Sequence, residues 1–302
     1  MSHTRVWAGA ATVLVLMLGL SGCAGASTGA GDGAAATTPS ATLTATPTPT
    51  PTPTDASGSG AAAGVTPLPA GAVFDYQLGG AYPPPHGVTV VVRDSTAEPA
   101  EGLYNICYVN GFQTQPDSGW PKSLLVLDDD GEAVTDPNWP DESILDLSTL
   151  DNRQAVADKT AVTIAGCAAA GYDAVEFDNL DSYTRSKGAF TLADAVDYAR
   201  LLVAAAHEAG LAAGQKNTVE LGDRGRTAIG FDFAVAEECQ RFAECGEYTA
   251  HYGDQVLDIE YTDDLAGTFA EVCADPSRPA ATILRDRDLV AAGKPGHVFE
   301  HC

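Results

Sequence analysis

Two helical stretches, residues 151–170 and 191–209, each stop at a glycine and pass at once into an apolar run of strand length. Gly171 leads into Tyr172–Asp178, and Gly210 into Leu211–Lys216. The second helix opens Thr191-Leu192-Ala193-Asp194, a side-chain cap followed by an acid in the first turn. Strand–helix–strand repeats of this length argue for parallel strands with helices outside them. Further strand candidates are Phe74–Leu78, Val88–Arg93, Leu103–Val109, Ile144–Leu147, Phe231–Glu237 and Val256–Glu260. A ninth run, Ala281–Arg285, would close or flank the sheet. An open doubly wound sheet and a closed barrel both fit this alternation. No glycine-rich fingerprint follows the first strand, and about eight strands in about 250 residues is typical of a barrel. The prediction is an α/β fold, a (β/α)8 TIM-type barrel.

The alternation starts only after a long preamble of different character. Arg5 and the apolar run Ala8–Leu20 read as a signal peptide over residues 1–22. The run ends in Leu20-Ser21-Gly22-Cys23, which looks like a bacterial lipobox with Cys23 as the lipidated residue. This predicts a lipid-anchored protein on the extracytoplasmic face of the cell membrane. Residues 23–66 are mostly Ala, Gly, Ser, Thr and Pro, with Thr-Pro repeating from Thr46 to Thr54. Such a composition cannot bury a core and reads as a disordered linker. The folded domain is therefore placed at 67–302.

Only Arg5, Asp32 and Asp55 are charged before residue 67, so the domain carries 15 basic and 39 acidic residues, a net of −24. That charge repels nucleic acid and favours a cationic or neutral partner. Its six cysteines, in an exported context, point to three disulfides, although six allow fifteen pairings. Cys239 and Cys245 are near neighbours, Cys273 with Cys302 would pin the C-terminus, and Cys107 with Cys167 then remains.

Barrel enzymes carry their reactive groups at the C-terminal ends of the strands, and here those ends are acidic. They read Glu176-Phe177-Asp178-Asn179-Leu180-Asp181, Lys216-Asn217, Glu237-Glu238 and Glu260-Tyr261. Alternation puts Glu176 and Asp178 on one face of their strand. Carboxyls converging on one mouth repel each other, a cost understandable where a protonated acid must stand beside an ionised base.

At these residues the chain resembles glycoside hydrolase family 114. Gly171-Tyr172-Asp173-Ala174-Val175-Glu176-Phe177-Asp178-Asn179-Leu180-Asp181 is similar to the family's G-F-D-x-V-E-x-D-N-x-D signature. Gly214-Gln215-Lys216-Asn217 resembles its G-x-K-N strand end, and Phe231 to Cys239 its F-D-F-A-x-N-E-Q-C, with Cys245 matching the next cysteine. Ile106-Cys107-Tyr108, Ile259-Glu260-Tyr261 and Gln77-Leu78 match in order, so the resemblance runs from about 74 to 262. It implies a barrel with endo-α-1,4-polygalactosaminidase-like activity, its essential carboxylates carried over onto Asp178 and Glu237. The sequence departs from the family at Ala236 (usually Asn), Glu238 (Gln) and Phe177 (often Pro). The first removes an amide able to bind a sugar hydroxyl, and Glu238 adds charge beside Glu237.

Glycoside cleavage needs two carboxyls flanking the bond. Glu237 is assigned as nucleophile and Asp178 as general acid/base, with retention of configuration. Lys216 would keep a carboxylate ionised and Asn217 bind a hydroxyl. Glu176, Asn179, Asp181, Glu238 and Glu260 are assigned to tuning and sugar contact. Tyr76, Tyr108, Tyr183 and Tyr261 are candidate platforms for sugar rings, as are Trp120 and Trp139 in the long 111–142 segment. Asp128-Asp129-Asp130-Gly131-Glu132 lacks the alternating ligands of a calcium loop and reads as a turn. No metal or cofactor is expected. The expected partner is a cationic or neutral amino-sugar polysaccharide, met by a monomer; the rival is a non-catalytic sugar-binding lipoprotein.

Overall fold

A computed structural model describes residues 64–302. The signal peptide, Cys23 and nearly all of the linker lie outside the described residues. The packed chain reaches back to Val65, which is buried, and the Tyr104 hydroxyl donates to the Thr66 carbonyl.

The strands are β1 (Phe74–Tyr76), β2 (Val90–Asp94), β3 (Tyr104–Asn110), β4 (Ala174–Asp178), β5 (Ala212–Lys216), β6 (Phe233–Glu237), β7 (Val256–Tyr261), β8 (Ala281–Arg285) and β9 (Phe299–His301). They form one sheet in sequence order, parallel from β1 to β8, with β9 antiparallel to β8. The result is a nearly closed barrel of the TIM type. Across the seam, the fully buried Arg285 of β8 donates to the Asp75 carboxylate (3.0 Å) and the Tyr76 carbonyl of β1. Burying a guanidinium is costly unless its donors are satisfied, and here β1 and the Val298 carbonyl satisfy them.

The α-helices among the described residues are α1 (Leu150–Ala170), α2 (Leu192–Glu208), α3 (Cys245–Tyr252) and α4 (Phe269–Ala274). Thr149 caps α1 by accepting from the Asn152 amide, and Gly171 closes it in the left-handed region at φ 95°. In α2, Thr191 and Asp194 form the full reciprocal capping box. The buried face of α1 repeats at helical spacing through Arg153, Val156, Thr160, Ile164 and Cys167. Arg153 pairs with Asp194 at 2.8 Å, tying α1 to the start of α2.

Alternation along each strand sorts the core into two layers. Val90, Val92, Ile106, Ala174, Ala212, Phe233, Val235, Leu257, Ile259 and Ile283 belong to the inner cluster. Val175, Phe177, Ala213, Ala234 and Ala236 belong to the outer one, packed with α1 and α2. Burying each of the larger apolar side chains stabilises the fold by about 1.5–3 kcal/mol. Gly214 is required inside: a Cβ there would lie 2.5 Å from the Phe233 ring. Ala236 and Phe177 therefore face the helices, so the departure from Asn at 236 removes nothing from a sugar site.

One strand assignment is corrected. Ile144–Leu147 is not a barrel strand; Ile144, Leu145 and Leu147 are buried, as a strand's residues would be, but Ile144 and Leu145 bridge within the excursion between β3 and α1. Ala281–Arg285 takes the eighth place instead. The disulfides join Cys107 to Cys167, Cys239 to Cys245 and Cys273 to Cys302, the expected set. No described helix is long and apolar enough to cross a membrane.

Candidate active site

The inward parity of the strands delivers one ring of side chains to the C-terminal mouth: Tyr76, Tyr108, Asp178, Lys216, Glu237 and Tyr261, with Glu176 one step below Asp178. The register pairs Tyr108 with Glu176 and Asn110 with Asp178, so β3 and β4 present their polar ends at matched heights. A cleft of about 620 Å³ opens above them.

Lys216 is the hub. It is 2% exposed, and its Nζ lies 3.2 Å from Glu237 Oε2, 3.5 Å from Glu176 Oε1 and 3.7 Å from Asp178 Oδ1. Burial disfavours its charge, but Asp178, Glu237 and Glu176 outweigh that and hold the ammonium well above its ordinary pKa. Each carboxyl also receives a phenol: Tyr76 donates to Glu176 (2.7 Å), Tyr108 to Asp178 (2.7 Å) and Tyr261 to Glu237 (2.5 Å). Asn217 donates to Glu237 Oε2 (3.3 Å) and accepts from the Glu237 amide (2.8 Å). Asp178 accepts from the Asn179 amide at 2.8 Å.

These surroundings set two neighbouring carboxyls apart. Burial would raise Glu237, but the Lys216 ammonium and the bonds from Tyr261, Lys216 and Asn217 prevail and hold it below the ordinary carboxylate value. Burial raises Glu176 to about 7, which Lys216 and Tyr76 offset only in part. Glu237 and Asp178 both sit within 4 Å of one ammonium, so their facing oxygens are less than about 7 Å apart.

The remaining expected site residues divide. Asn179 and Asp181 line the cleft, Asp181 through an ion pair with Arg185 at 2.7 Å. Glu176 is fully buried, beneath the reach of a sugar. Tyr76, Tyr108 and Tyr261 act as hydroxyl donors, since their rings are built into the floor, and Tyr183 donates to Glu220. Trp139, 61% exposed, stands on the cleft wall, whereas Trp120 packs against the core with Lys159 over its ring. Glu238 pairs with Arg287 at 2.8 Å and lies outside this cleft, on the wall of a smaller hollow beside it. Glu260 points out of the barrel, because it shares the outward parity of Asp258. Strand-end position was therefore a poor guide for Glu260, and parity counted from Tyr261 would have excluded it.

Sequence reasoning missed Glu142 and Asn110. Asn110 Nδ2 donates to Glu142 at 2.8 Å, and its Oδ1 accepts from Asn179 at 3.0 Å. Burial raises Glu142 to about 7, with Asp178 and Asp136 adding to the rise against the Asn110 bond. In all, Asp94, Asp136, Glu142, Asp178, Asp181, Glu237 and Asp288 line the cleft against Arg185, Lys216 and Arg287. Cys239, Cys245 and Asp258 place potential metal-ligating atoms within 4.8 Å of one another, but the sulfurs are spent on their disulfide. The Asp128–Glu132 segment is a turn closed by Asp128, which accepts from the amides of Asp130 and Glu132.

The model of glycoside hydrolase family GH114 matches residues 54–302. Among solved structures, Ega3 of Aspergillus fumigatus, in complex with galactosamine, superposes with a TM-score of 0.62 at 23% identity, covering 79% of this chain and 98% of Ega3. The glycoside hydrolase domain of PelA from Pseudomonas aeruginosa superposes with a TM-score of 0.50 at 16% identity, covering 74% of this chain and 97% of that domain. No curated protein sequence matches significantly.

Proposed function

Because the chain belongs to glycoside hydrolase family GH114, and so is a glycoside hydrolase, we propose that its barrel mouth cleaves a galactosamine-containing polysaccharide internally, using Asp178 and Glu237. The observation that carries this is the shared ammonium: Lys216 lies between two cleft carboxyls that also receive one phenol each. Glu237, held ionised, attacks the anomeric carbon. Asp178 delivers a proton to the departing glycosidic oxygen, leaving a glycosyl ester on Glu237. Asp178 then takes a proton from water, which attacks the same carbon and releases the sugar with configuration retained. The limit of about 7 Å between their facing oxygens leaves room for the ~5–5.5 Å of retaining enzymes.

The substrate class rests on charge and likeness together. Seven carboxyls against three cations favour a polymer of free, protonated amines, and Ega3 was solved with galactosamine. α-1,4-Linked galactosamine polymer should release reducing ends, faster than its N-acetylated form, and the rate at low substrate should fall as salt rises. Absence of cleavage on the deacetylated polymer would remove the substrate assignment. We further propose that Cys23 carries the lipid anchor of a monomer on the extracytoplasmic membrane face; Cys23→Ser should then appear in the soluble fraction.

A further inference from the structure

A second hollow of about 430 Å³ adjoins the mouth and shares Asp181, Asn217 and Glu237 with it. That volume lies in the ~300–1,000 Å³ range of small-ligand sites. Its far side is made by Thr218, Glu220, Phe242, Glu244 and Tyr248, on the turns after β5 and β6 and on α3. Three features there are answered only in part by the protein itself. Phe242 is 55% exposed, a large apolar ring with the Arg241 guanidinium 5.6 Å from its centre. Glu220 accepts from the Tyr183 hydroxyl, but neither it nor Glu244 has a Lys or Arg partner among the described residues, unlike Asp181 with Arg185 and Glu238 with Arg287. Thr218 is buried, yet its Oγ1 has no hydrogen-bond partner.

Each of these answers one part of an amino sugar. An apolar ring face stacks on the C–H face of a pyranose. A carboxylate without a cation takes an ammonium, and a hydroxyl without a partner takes a sugar hydroxyl. Burial and the charge of Glu220 raise Glu244, a repulsion that a bound cation would relieve. Resting on the polysaccharide reading above, we propose that this hollow is a second sugar subsite, on the Glu237 side of the mouth, for a residue with a free, protonated amine. Because the hollow shares Glu237 with the mouth, a chain lying across the scissile position continues into it.

The test uses α-1,4-linked galactosamine oligomers of increasing defined length with the full-length protein. Phe242→Ala and the pair Glu220→Gln, Glu244→Gln alter side chains at least partly exposed, so the fold should survive; circular dichroism confirms it. The ratio of kcat/KM on the longest to that on the shortest cleaved oligomer should drop about tenfold in each variant. In the glutamine pair, the remaining ratio should also lose its salt dependence. A wild type that cleaves the oligomers alongside variants with an unchanged ratio would overturn the subsite alone. A wild type that neither binds nor cleaves them would overturn the subsite together with the substrate reading.

Discussion

Two clusters of acids stand on the barrel strands, one inside and one outside, and only the inner one contains a cation. Inside the barrel, Glu176, Asp178 and Glu237 surround Lys216. Outside it, Asp258 and Glu260 on β7 lie buried together under the Cys239–Cys245 loop, with Oδ2 and Oε2 unpartnered. Burial acts on both clusters, and the difference lies in what opposes it. Lys216 pulls Glu237 below its ordinary value. Burial together with mutual repulsion pushes Asp258 well up, and burial takes Glu260 to about 7. The ammonium holds Glu237 below its ordinary value, whereas the outer pair, with no cation, is raised.

The sharpest way to break this contrast is to neutralise one acid from each cluster without changing its shape. Glu237→Gln should cost about a thousandfold or more in kcat on galactosamine polymer, while Glu260→Gln stays within about threefold. Equal losses would mean that the outer pair is part of the active machinery. Lys216→Met comes next. We expect a loss of about a hundredfold at neutral pH, and the acid limb of kcat/KM should move up by about one to three units, since the ammonium is what depresses Glu237. An unmoved limb would take Lys216 out of the account. The smallest effect is on stability. Glu260 binds its proton more tightly folded than unfolded, so its contribution is complete below about 4.5 and is lost as pH rises through about 7. Thermal unfolding of the wild type should therefore soften between pH 5 and pH 8. Glu260→Gln should recover about 1 kcal/mol at pH 8, or about 2–4 °C; part of the slope should persist, because Glu142 and Glu176 are raised to about 7 as well.

The same contrast shows what could be read from residues alone. Parity within one strand was legible: Glu176 and Asp178 do share a face, and Asp178, Lys216 and Glu237 meet because each ends an inward column. Helix limits were legible because Thr149, Gly171 and Thr191 act locally. Facing was legible only in part for Glu260: alternation puts one of Glu260 and Tyr261 outside, and which one is outside follows only once Leu257 and Ile259 are known to be inside. Ile144–Leu147 has the composition of a barrel strand, and only its pairing within the excursion shows otherwise. β9 is three half-buried to exposed residues with no pattern to find. Glu142 lies in a long irregular segment, and its place beside Asn110 depends on tertiary folding.

The anomer of the newly formed reducing end, followed by proton NMR during the first turnovers on α-1,4-linked galactosamine oligomers, tests the central assignment most directly. Attack by an ionised Glu237 with Asp178 as acid and base predicts that the α-anomer appears first, with the β-anomer growing only by mutarotation. First appearance of the β-anomer would mean that water attacks the substrate itself, and that Glu237 is not the nucleophile.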